Sequence, residues 1–236
     1  MFPVIVLAGG LATRLRPITE KIPKAMLDIN GKPFIAHQLN LLKSKGLEKV
    51  ILCVGHLGEA IEGYVKDGSE YGMQVSYSYD GEKLLGTGGA LKNIGERLPD
   101  NFFVLYGDSY LDVDYQMLED SYRSSGKRAL MAVYKNEGRW DSSNVIFKDG
   151  VLVHYSKKSK TEDMNYIDYG LGILSKSVLE EYSASTALDL ACVYECLSEN
   201  NQLLGFEVYE RFYEVGSLQG LSDIRKKLCY GENYEC

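Results

Sequence analysis

The 236-residue sequence lacks several features that mark common classes of protein. Its five cysteines show no paired C-x-x-C spacing, which argues against a zinc site and a disulfide framework, so we expect reduced thiols. No apolar run approaches the ~20 residues of a membrane-spanning helix, and the first residues lack the cationic start of a secretory signal. No basic tract interrupts a formal net charge of −7, which argues against nucleic-acid polymers. We therefore expect a cytoplasmic protein that binds neither membranes nor nucleic acids.

Linkers, internal repeats and low-complexity segments are also missing, so one domain over 1–236 is expected. Buried-strand patterns alternate with helical patterns, which predicts an α/β fold with a Rossmann-like, doubly wound, mostly parallel (mixed) sheet. Near 145–153, two short strands flank an Asp-Gly pair, which predicts a hairpin. We therefore expect two halves, about 1–135 and about 136–230, of which the second forms a small, partly antiparallel lobe.

A glycine pair ends the first predicted strand, at 4–8. Gly9 and Gly10 let the backbone turn and bring bare N–H groups close to an anion. The loop that follows supplies hydroxyl and cationic groups from Thr13, Arg14, Arg16, Lys21 and Lys24. Neither Gly-x-Gly-x-x-Gly nor the Gly-Lys-Ser/Thr of a P-loop is present. The segment therefore predicts a phosphate site of another type; the simpler alternative is a turn with solvated basic residues.

A second glycine-rich stretch, LGTGGA at 85–90, opens a predicted helix. Its three glycines allow a flat base or ribose to lie against the backbone, and a helix N-terminus favours negative charge. Plain turn chemistry is the alternative.

Asp108 follows Gly107 at the end of a predicted buried strand, 102–106. Open α/β sheets bind ligands at the carboxyl ends of their parallel strands. Magnesium binds one or two protein carboxylates together with phosphate oxygens, so Asp108 is a candidate ligand. A turn or helix N-cap is the alternative role for this aspartate.

These motifs resemble a known family. The stretch AGGLATRL at 8–15, followed by IPK at 22–24, is similar to the signature of the sugar-1-phosphate nucleotidylyltransferases, which join a nucleoside triphosphate to a sugar 1-phosphate and release pyrophosphate. The glycine loop and the short length look most like bacterial guanylyltransferases for mannose or heptose 1-phosphates. The chain departs from the family pattern at four positions: Ala12, Lys157, Asp168 and Glu214.

The resemblance implies a set of site residues and a magnesium cofactor. Arg14, Lys24 and Asp108 would be catalytic, with Arg14 on the β/γ-phosphates and Lys24 on the α-phosphate. Asp108 and Glu214 would hold Mg²⁺. The nucleotide would contact Leu7, Ala8, Gly9, Gly10, Thr13, Arg14, Asp80, Gly86, Thr87 and Gly88.

The acceptor side of the resemblance is looser. Lys158 matches the lysine that binds the sugar phosphate, and Asp108, Asp168 and Gly170 would also contact the acceptor. Lys157 stands where the family has glutamate, which fits either an acceptor with an extra negative group or a different orientation of a hexose or heptose. Three alternatives stay open: a uridylyl or cytidylyl enzyme, a non-sugar acceptor such as phosphocholine, and an inactive nucleotide-binding module. A homodimer is among the possible assemblies.

Overall fold

The computed structural model describes residues 1–10, 13–81, 85–183 and 187–229, except for the side chain of Thr13. The strands are β1 (Val4–Leu7), β2 (Asp28–Ile29), β3 (Lys32–Pro33), β4 (Lys49–Val54), β5 (Gln74–Tyr79), β6 (Asn101–Tyr106), β7 (Ser109–Tyr110), β8 (Ala129–Lys135), β9 (Val145–Lys148), β10 (Val151–Tyr155), β11 (Tyr166–Ser175), β12 (Leu203–Val208) and β13 (Tyr213–Glu214). The α-helices are α1 (Phe34–Ser44), α2 (Gly58–Val65), α3 (Gly86–Asn93), α4 (Tyr115–Ser125), α5 (Lys176–Glu180), α6 (Leu190–Glu199) and α7 (Leu218–Cys229).

Nine of these strands form one twisted sheet within the described part of the chain. Seven of them follow the order β10-β9-β11-β6-β1-β4-β5, and β8 joins β11 to β12. The pairs around β1 are parallel, whereas β11 runs antiparallel to both β6 and β8. The predicted α/β fold with a mixed sheet is confirmed. Among the described residues, no helix combines the length and apolarity needed to cross a bilayer.

The two halves predicted from the sequence share this sheet. Strand β11, from the second half, pairs directly with β6 of the first half. The register of β11 against β8 shifts between Asp168 and Gly172, so the backbone bulges there at the carboxyl end of β6. The bulge lies beside the end of the strand that precedes Asp108.

The predicted hairpin is present as β9 and β10, with Asp149 and Gly150 at φ of 52° and 77°. Both positive values match the tight turn that an Asp-Gly pair favours. The helix predicted to open at 85–90 is present as α3, which ends at Asn93, and Gly95, at φ 66°, begins a separate 3₁₀ turn. A small ribbon of β7 and β13 was not predicted, and it connects the segment after Asp108 to the last helix.

Apolar side chains cover both faces of the sheet, and a separate cluster anchors α7 against the loop after β1. Its members are Leu15, Leu27, Ile29, Phe34, Val215, Leu221 and Ile224. Full burial of a leucine or isoleucine side chain contributes about 1.5–3 kcal/mol. This cluster therefore fixes residues from the two ends of the chain around one edge of the sheet.

Candidate active site

Three strand ends meet at the carboxyl edge of the sheet. The Ala8 N–H donates to the carbonyl of Cys53 at 2.8 Å, and the Gly107 N–H donates to the carbonyl of Leu7 at 2.9 Å. A Cβ atom on Gly107 would lie 2.8 Å from the Cα of Ala8, so only glycine fits this crossing. The close approach brings the glycine pair and Asp108 to the same edge.

The first pocket, of about 290 Å³, opens at this edge. It gathers most of the predicted nucleotide-binding residues and two of the three predicted catalytic residues. Its lining includes Leu7, Ala8, Gly9, Gly10, Lys24, Asp80, Gly86, Thr87 and Asp108. A Cβ on Gly9 would lie 2.9 Å from Asp80 Oδ2, so the glycine here makes room for a side chain as well as for a ligand. Burial raises the pKa of the Asp80 carboxyl.

Lys24 and Asp108 form an ion pair inside the first pocket. Lys24 Nζ lies 2.8 Å from Asp108 Oδ2, and the two side chains are 19% and 28% exposed. Lys24 begins a 3₁₀ turn behind Pro23, whose extended backbone conformation ends the preceding loop. Partial burial makes this contact stronger than a surface ion pair.

Gln38 of α1 holds the turn that carries Asp108. Its buried side-chain amide donates to the carbonyls of Tyr106 and Ser109 at 3.2 and 2.7 Å. These two carbonyls flank Gly107 and Asp108 in the chain. The backbone of this turn is therefore held by a helix whose own residues are absent from the described linings of the pockets.

A second pocket, of about 730 Å³, adjoins the first and shares Tyr106 and Asp108 with it. Its lining includes the predicted residues Arg14, Asp168, Gly170 and Glu214, and also Asn144, Lys157, Lys160, Trp140, Tyr169, Arg211 and Tyr213. Arg14 thus lines the second pocket and not the first. The two pockets meet at Asp108, where a group bound in one can reach a group bound in the other.

Glu214 stands next to Asp108 because β13 pairs with β7. Glu214 is opposite Ser109 in this ribbon, and the Val215 N–H donates to the Asp108 carbonyl at 2.9 Å. The Glu214 carboxylate accepts a hydrogen bond from the Gly216 N–H and another from Ser217 Oγ, the latter at 2.6 Å. Its own loop therefore orients it.

Cations surround the same corner. A Cβ on Gly216 would lie 3.4 Å from both Arg14 Nη2 and Lys24 Nζ, so the two cationic groups converge beside Glu214. Two carboxylates and two cations thus occupy one small volume, which suits the binding of several phosphate groups with a metal ion.

The two carboxylates are chemically suited to magnesium. A carboxylate has about four lone-pair sites, and the described hydrogen-bond and ion-pair partners of Asp108 and Glu214 occupy only some of them. No cluster of three or more acidic, histidine or cysteine side chains suited to a metal is found among the described residues. A site of this kind would rely on two carboxylates and on phosphate oxygens, as magnesium commonly does.

The loop at 157–160 places two lysines, Lys157 and Lys160, in the lining of the second pocket. Lys157 Nζ lies 5.9 Å from the centre of the Tyr106 ring. Lys158 is exposed and outside the described lining, and its backbone N–H donates to the buried Ser156 Oγ at 3.3 Å. The lysine that matches the family pattern is therefore not one of the two that line the pocket.

Asp168 sits on the bulge of β11, with its N–H bonded to Asn144 Oδ1 at 2.9 Å. Its Oδ1 accepts the Gly170 N–H at 2.9 Å, and Gly170 adopts the φ of 87° that glycine tolerates. Burial raises the pKa of the Asp168 carboxyl, while the bond from Gly170 and the charge of Lys157 oppose that rise. Asp168 and Lys157 thus place one hydrogen-bond acceptor and one cation in the lining of the second pocket.

The start of α3 differs from expectation at Gly88, a predicted nucleotide contact. Gly88 is buried and absent from the described pocket lining. Its N–H and that of Gly89 donate to the carbonyl of Leu188 at 2.8 and 3.1 Å, so these groups at the start of α3 are not available to a phosphate. The Thr13 side chain, like residues 11–12, lies outside the described residues.

Sequence reasoning missed part of the second pocket. Arg211 lies between two rings, with its guanidinium carbon 3.7 Å from the centre of Trp140 and 4.8 Å from that of Tyr213, and it pairs with Asp223. Its position three residues before Glu214 was the available signal. Tyr106 and Tyr169 also face this pocket, and their buried hydroxyl groups have no hydrogen-bond partner among the described residues.

The chain is similar to several curated nucleotidylyltransferases. A curated heptose 1-phosphate guanylyltransferase (D-glycero-alpha-D-manno type) from Campylobacter jejuni is 33% identical over 201 residues, covering 85% of this chain and 86% of the relative. A UTP–glucose-1-phosphate uridylyltransferase from Synechocystis is 33% identical over 202 residues, covering 79% of this chain and 52% of the relative. The catalytic subunit beta of a mannose-1-phosphate guanylyltransferase from Drosophila pseudoobscura is 30% identical over 217 residues, covering 90% of this chain and 58% of the relative. The chain thus spans little more than half the length of the last two relatives.

Solved structures give the same result for the fold. The crystal structure of HddC from Yersinia pseudotuberculosis, complexed with GMP-PN, has a TM-score of 0.78 at 26% identity and covers 97% of this chain and 100% of that one. A Bacillus anthracis protein in complex with a sucrose has a TM-score of 0.86 at 19% identity, a likeness of fold alone. The model of the nucleotidyl transferase family matches residues 3–229. Because this match covers nearly all of the chain, the protein belongs to the nucleotidyl transferase family.

Proposed function

We propose that this protein transfers a nucleoside monophosphate from a nucleoside triphosphate to a sugar 1-phosphate, giving a nucleoside diphosphate sugar and pyrophosphate. The observation that carries the proposal is the junction of the two pockets at Asp108 and Tyr106. The first pocket would hold the nucleotide and the second the acceptor. A cytoplasmic location and a place in surface polysaccharide synthesis belong to the same proposal.

The reaction needs positioning and charge neutralisation more than covalent catalysis. An oxygen of the acceptor phosphate attacks the α-phosphorus, the bond from that phosphorus to the bridging oxygen breaks, and pyrophosphate leaves with its electron pair. No proton transfer is required, and no side chain needs to act as a nucleophile. Bringing two anions together in line is mainly a matter of orientation and of compensating negative charge.

The proposed roles combine the family resemblance with the positions of the side chains. The resemblance assigns Lys24 to the α-phosphate and Arg14 to the departing phosphates, and the convergence of both cations beside Gly216 would let them bind the same triphosphate. Asp108 and Glu214 would hold Mg²⁺, which supplies further positive charge next to the phosphates when it is bound. Asp168 would accept hydrogen bonds from the acceptor, beside the bulge at Gly170.

The acceptor phosphate has two candidate lysines. The family pattern assigns it to Lys158, whereas the geometry favours Lys157, which lines the second pocket together with Lys160 and lies near Tyr106 and Asp168. The substitutions described in the Discussion separate them.

GTP with mannose 1-phosphate or heptose 1-phosphate is the favoured substrate pair. Relatives named for these reactions are 30% and 33% identical to this chain. The Synechocystis relative, named for UTP and glucose 1-phosphate, is 33% identical and supports a uridylyl enzyme as the second candidate.

A phosphocholine acceptor is disfavoured by the second pocket. A quaternary ammonium group binds among aromatic rings, where its charge meets the electron-rich faces. The rings of Trp140 and Tyr213 already carry Arg211. A choline group would have to displace this guanidinium from its ion pair with Asp223.

The test is pyrophosphate release in the presence of Mg²⁺, with GTP, UTP, CTP, dTTP and ATP each paired with a panel of sugar 1-phosphates and phosphocholine. We expect release with GTP and mannose or heptose 1-phosphate, and its loss in Asp108→Asn. Release only with UTP or CTP would change the base assignment. Release only with phosphocholine would overturn the sugar acceptor, and no release with any pair would favour an inactive nucleotide-binding module.

A further inference from the structure

The loop at the start of α3 is tied to the start of α6 by a dense set of hydrogen bonds. The Leu188 carbonyl accepts the N–H groups of Gly88 and Gly89, and the Leu188 N–H donates to the Leu85 carbonyl at 2.9 Å. These bonds join one wall of the first pocket to a segment of the second half of the chain that lies outside the described lining.

Asp189 and Thr87 complete this connection through their side chains. Thr87 Oγ1 donates to Asp189 Oδ1 at 3.1 Å and accepts the Leu190 N–H at 2.8 Å. The same Asp189 oxygen accepts the Ala191 N–H at 3.0 Å and so caps α6. One carboxylate oxygen therefore fixes both the end of a helix and the hydroxyl of a residue that lines the first pocket.

The glycines of the loop fit this connection. A Cβ on Gly86 would lie 2.6 Å from the Leu188 carbonyl oxygen, and one on Gly88 would lie 2.7 Å from Leu188 Cγ. Neither distance is compatible with a side chain. Two of the glycines in this loop are thus required by the close approach of Leu188, whatever a ligand requires.

We infer that Asp189 is a positioning residue for the nucleotide: through Thr87 it holds the loop at 85–89 in the geometry that the nucleotide meets. The inference rests on the proposed function for the identity of the ligand. Asp189 itself is not among the described residues that line the pocket. Its effect on nucleotide binding is therefore indirect, and depends on a hydrogen-bond acceptor and not on negative charge.

The experiment combines Asp189→Ala with Asp189→Asn in the full chain. An asparagine oxygen can accept both hydrogen bonds, whereas alanine can accept neither. Hydrogen–deuterium exchange measures the amides of 85–91, and calorimetric titration with GTP and with UTP, in Mg²⁺ and without acceptor, measures nucleotide affinity. We expect Asp189→Ala to speed exchange in 85–91 and to weaken binding about five- to tenfold, as loss of one or two hydrogen bonds would. Asp189→Asn should match wild type in both measurements.

Asp114→Ala is the matched control. Asp114 Oδ1 caps α4 by accepting the Met117 N–H at 3.0 Å, as Asp189 caps α6. The control should lose a similar helix cap, speed exchange only in α4, and leave nucleotide affinity within twofold of wild type. Equal weakening in Asp114→Ala would show that general loss of stability explains the effect.

Two further outcomes would overturn the inference. If Asp189→Asn bound nucleotide as weakly as Asp189→Ala, nucleotide affinity would depend on the charge of Asp189 and not on its hydrogen bonds. If Asp189→Ala bound both nucleotides within twofold of wild type, the loop would not need this support. Absence of pyrophosphate release by wild type would overturn the proposed function alone, because the exchange comparison requires no substrate.

Discussion

Lys24 Nζ, in the first pocket, lies 2.8 Å from Oδ2 of Asp108, which lines both pockets. The cation assigned to the α-phosphate and the carboxylate assigned to the metal thus neutralise each other in the free protein. A nucleotide that binds here would bring a phosphate to which Lys24 can bind in place of Asp108. The Asp108 oxygen released in this way could then bind a metal ion. This exchange of partners gives two separate predictions.

Replacing Lys24 should remove charge stabilisation from the reaction. We expect Lys24→Met to lower kcat about 10²–10³-fold, the usual cost of losing one contact to developing charge. Steady-state pyrophosphate release measures it. Lys45→Met is the control, since Lys45 forms a similar ion pair with Asp112 at 2.6 Å outside both pockets, and its kcat should be near that of wild type. A kcat for Lys24→Met within about tenfold of wild type would contradict the assignment.

The same substitution should strengthen metal binding by the free protein. Mn²⁺ and an ammonium group repel each other when they share one carboxylate, so removing the ammonium frees the site. We expect Lys24→Met to bind Mn²⁺ about tenfold more tightly than wild type, with Lys45→Met unchanged and Asp108→Asn weaker. Electron paramagnetic resonance of free Mn²⁺, without nucleotide, measures the affinity of each variant for Mn²⁺. Equal affinity in Lys24→Met and wild type would show that this ion pair does not compete with the metal.

Adjacent lysines distinguish two readings of the acceptor site. We expect Lys157→Gln to raise the KM for the sugar 1-phosphate about tenfold, because loss of a charge-assisted contact costs at least that much. The KM for the nucleotide should stay the same. Lys158→Gln has the same change of charge one residue away and should leave both values within twofold. The opposite pattern would return the phosphate contact to Lys158.

Asp168 should make the protein less stable as the pH rises. Burial raises the pKa of its carboxyl in the folded state, so folding favours the protonated form. Its stabilising contribution is complete below the ordinary aspartate pKa and is lost as the pH rises through the raised value. Asp168→Asn should therefore melt at a higher temperature than wild type at pH 7.5, with the difference shrinking toward pH 4.

The activity of Asp168→Asn provides the second half of that test. Asparagine keeps the oxygen that accepts the Gly170 N–H, so the bulge of β11 should persist. Loss of the carboxylate should lower kcat/KM for the acceptor about tenfold or more. A variant that is more stable but less active would place Asp168 among the residues kept for function at a cost in stability. Unchanged stability across this pH range would contradict the pKa argument.

Local sequence patterns were sufficient to predict much of the lining of the first pocket. The apolar runs at 4–8 and 102–106 predict buried parallel strands, and open sheets bind ligands where such strands end. That rule brings Gly9 and Asp108 together without any knowledge of side-chain contacts. The Asp-Gly turn at 149–150 likewise fixes a hairpin by backbone geometry alone.

What the sequence determined by itself is the family, the α/β class and the chemistry of the phosphate-binding groups, because these depend on short segments whose residues are close in the chain. Tertiary structure alone decided which lysines line the second pocket, why Gly86 and Gly88 are glycine, and that Asp189 supports Thr87. Each of these depends on segments about 50 to 100 residues apart that meet only when β11 and α6 pack against the first half. Side-chain direction and close approach follow from that packing, which no local pattern encodes.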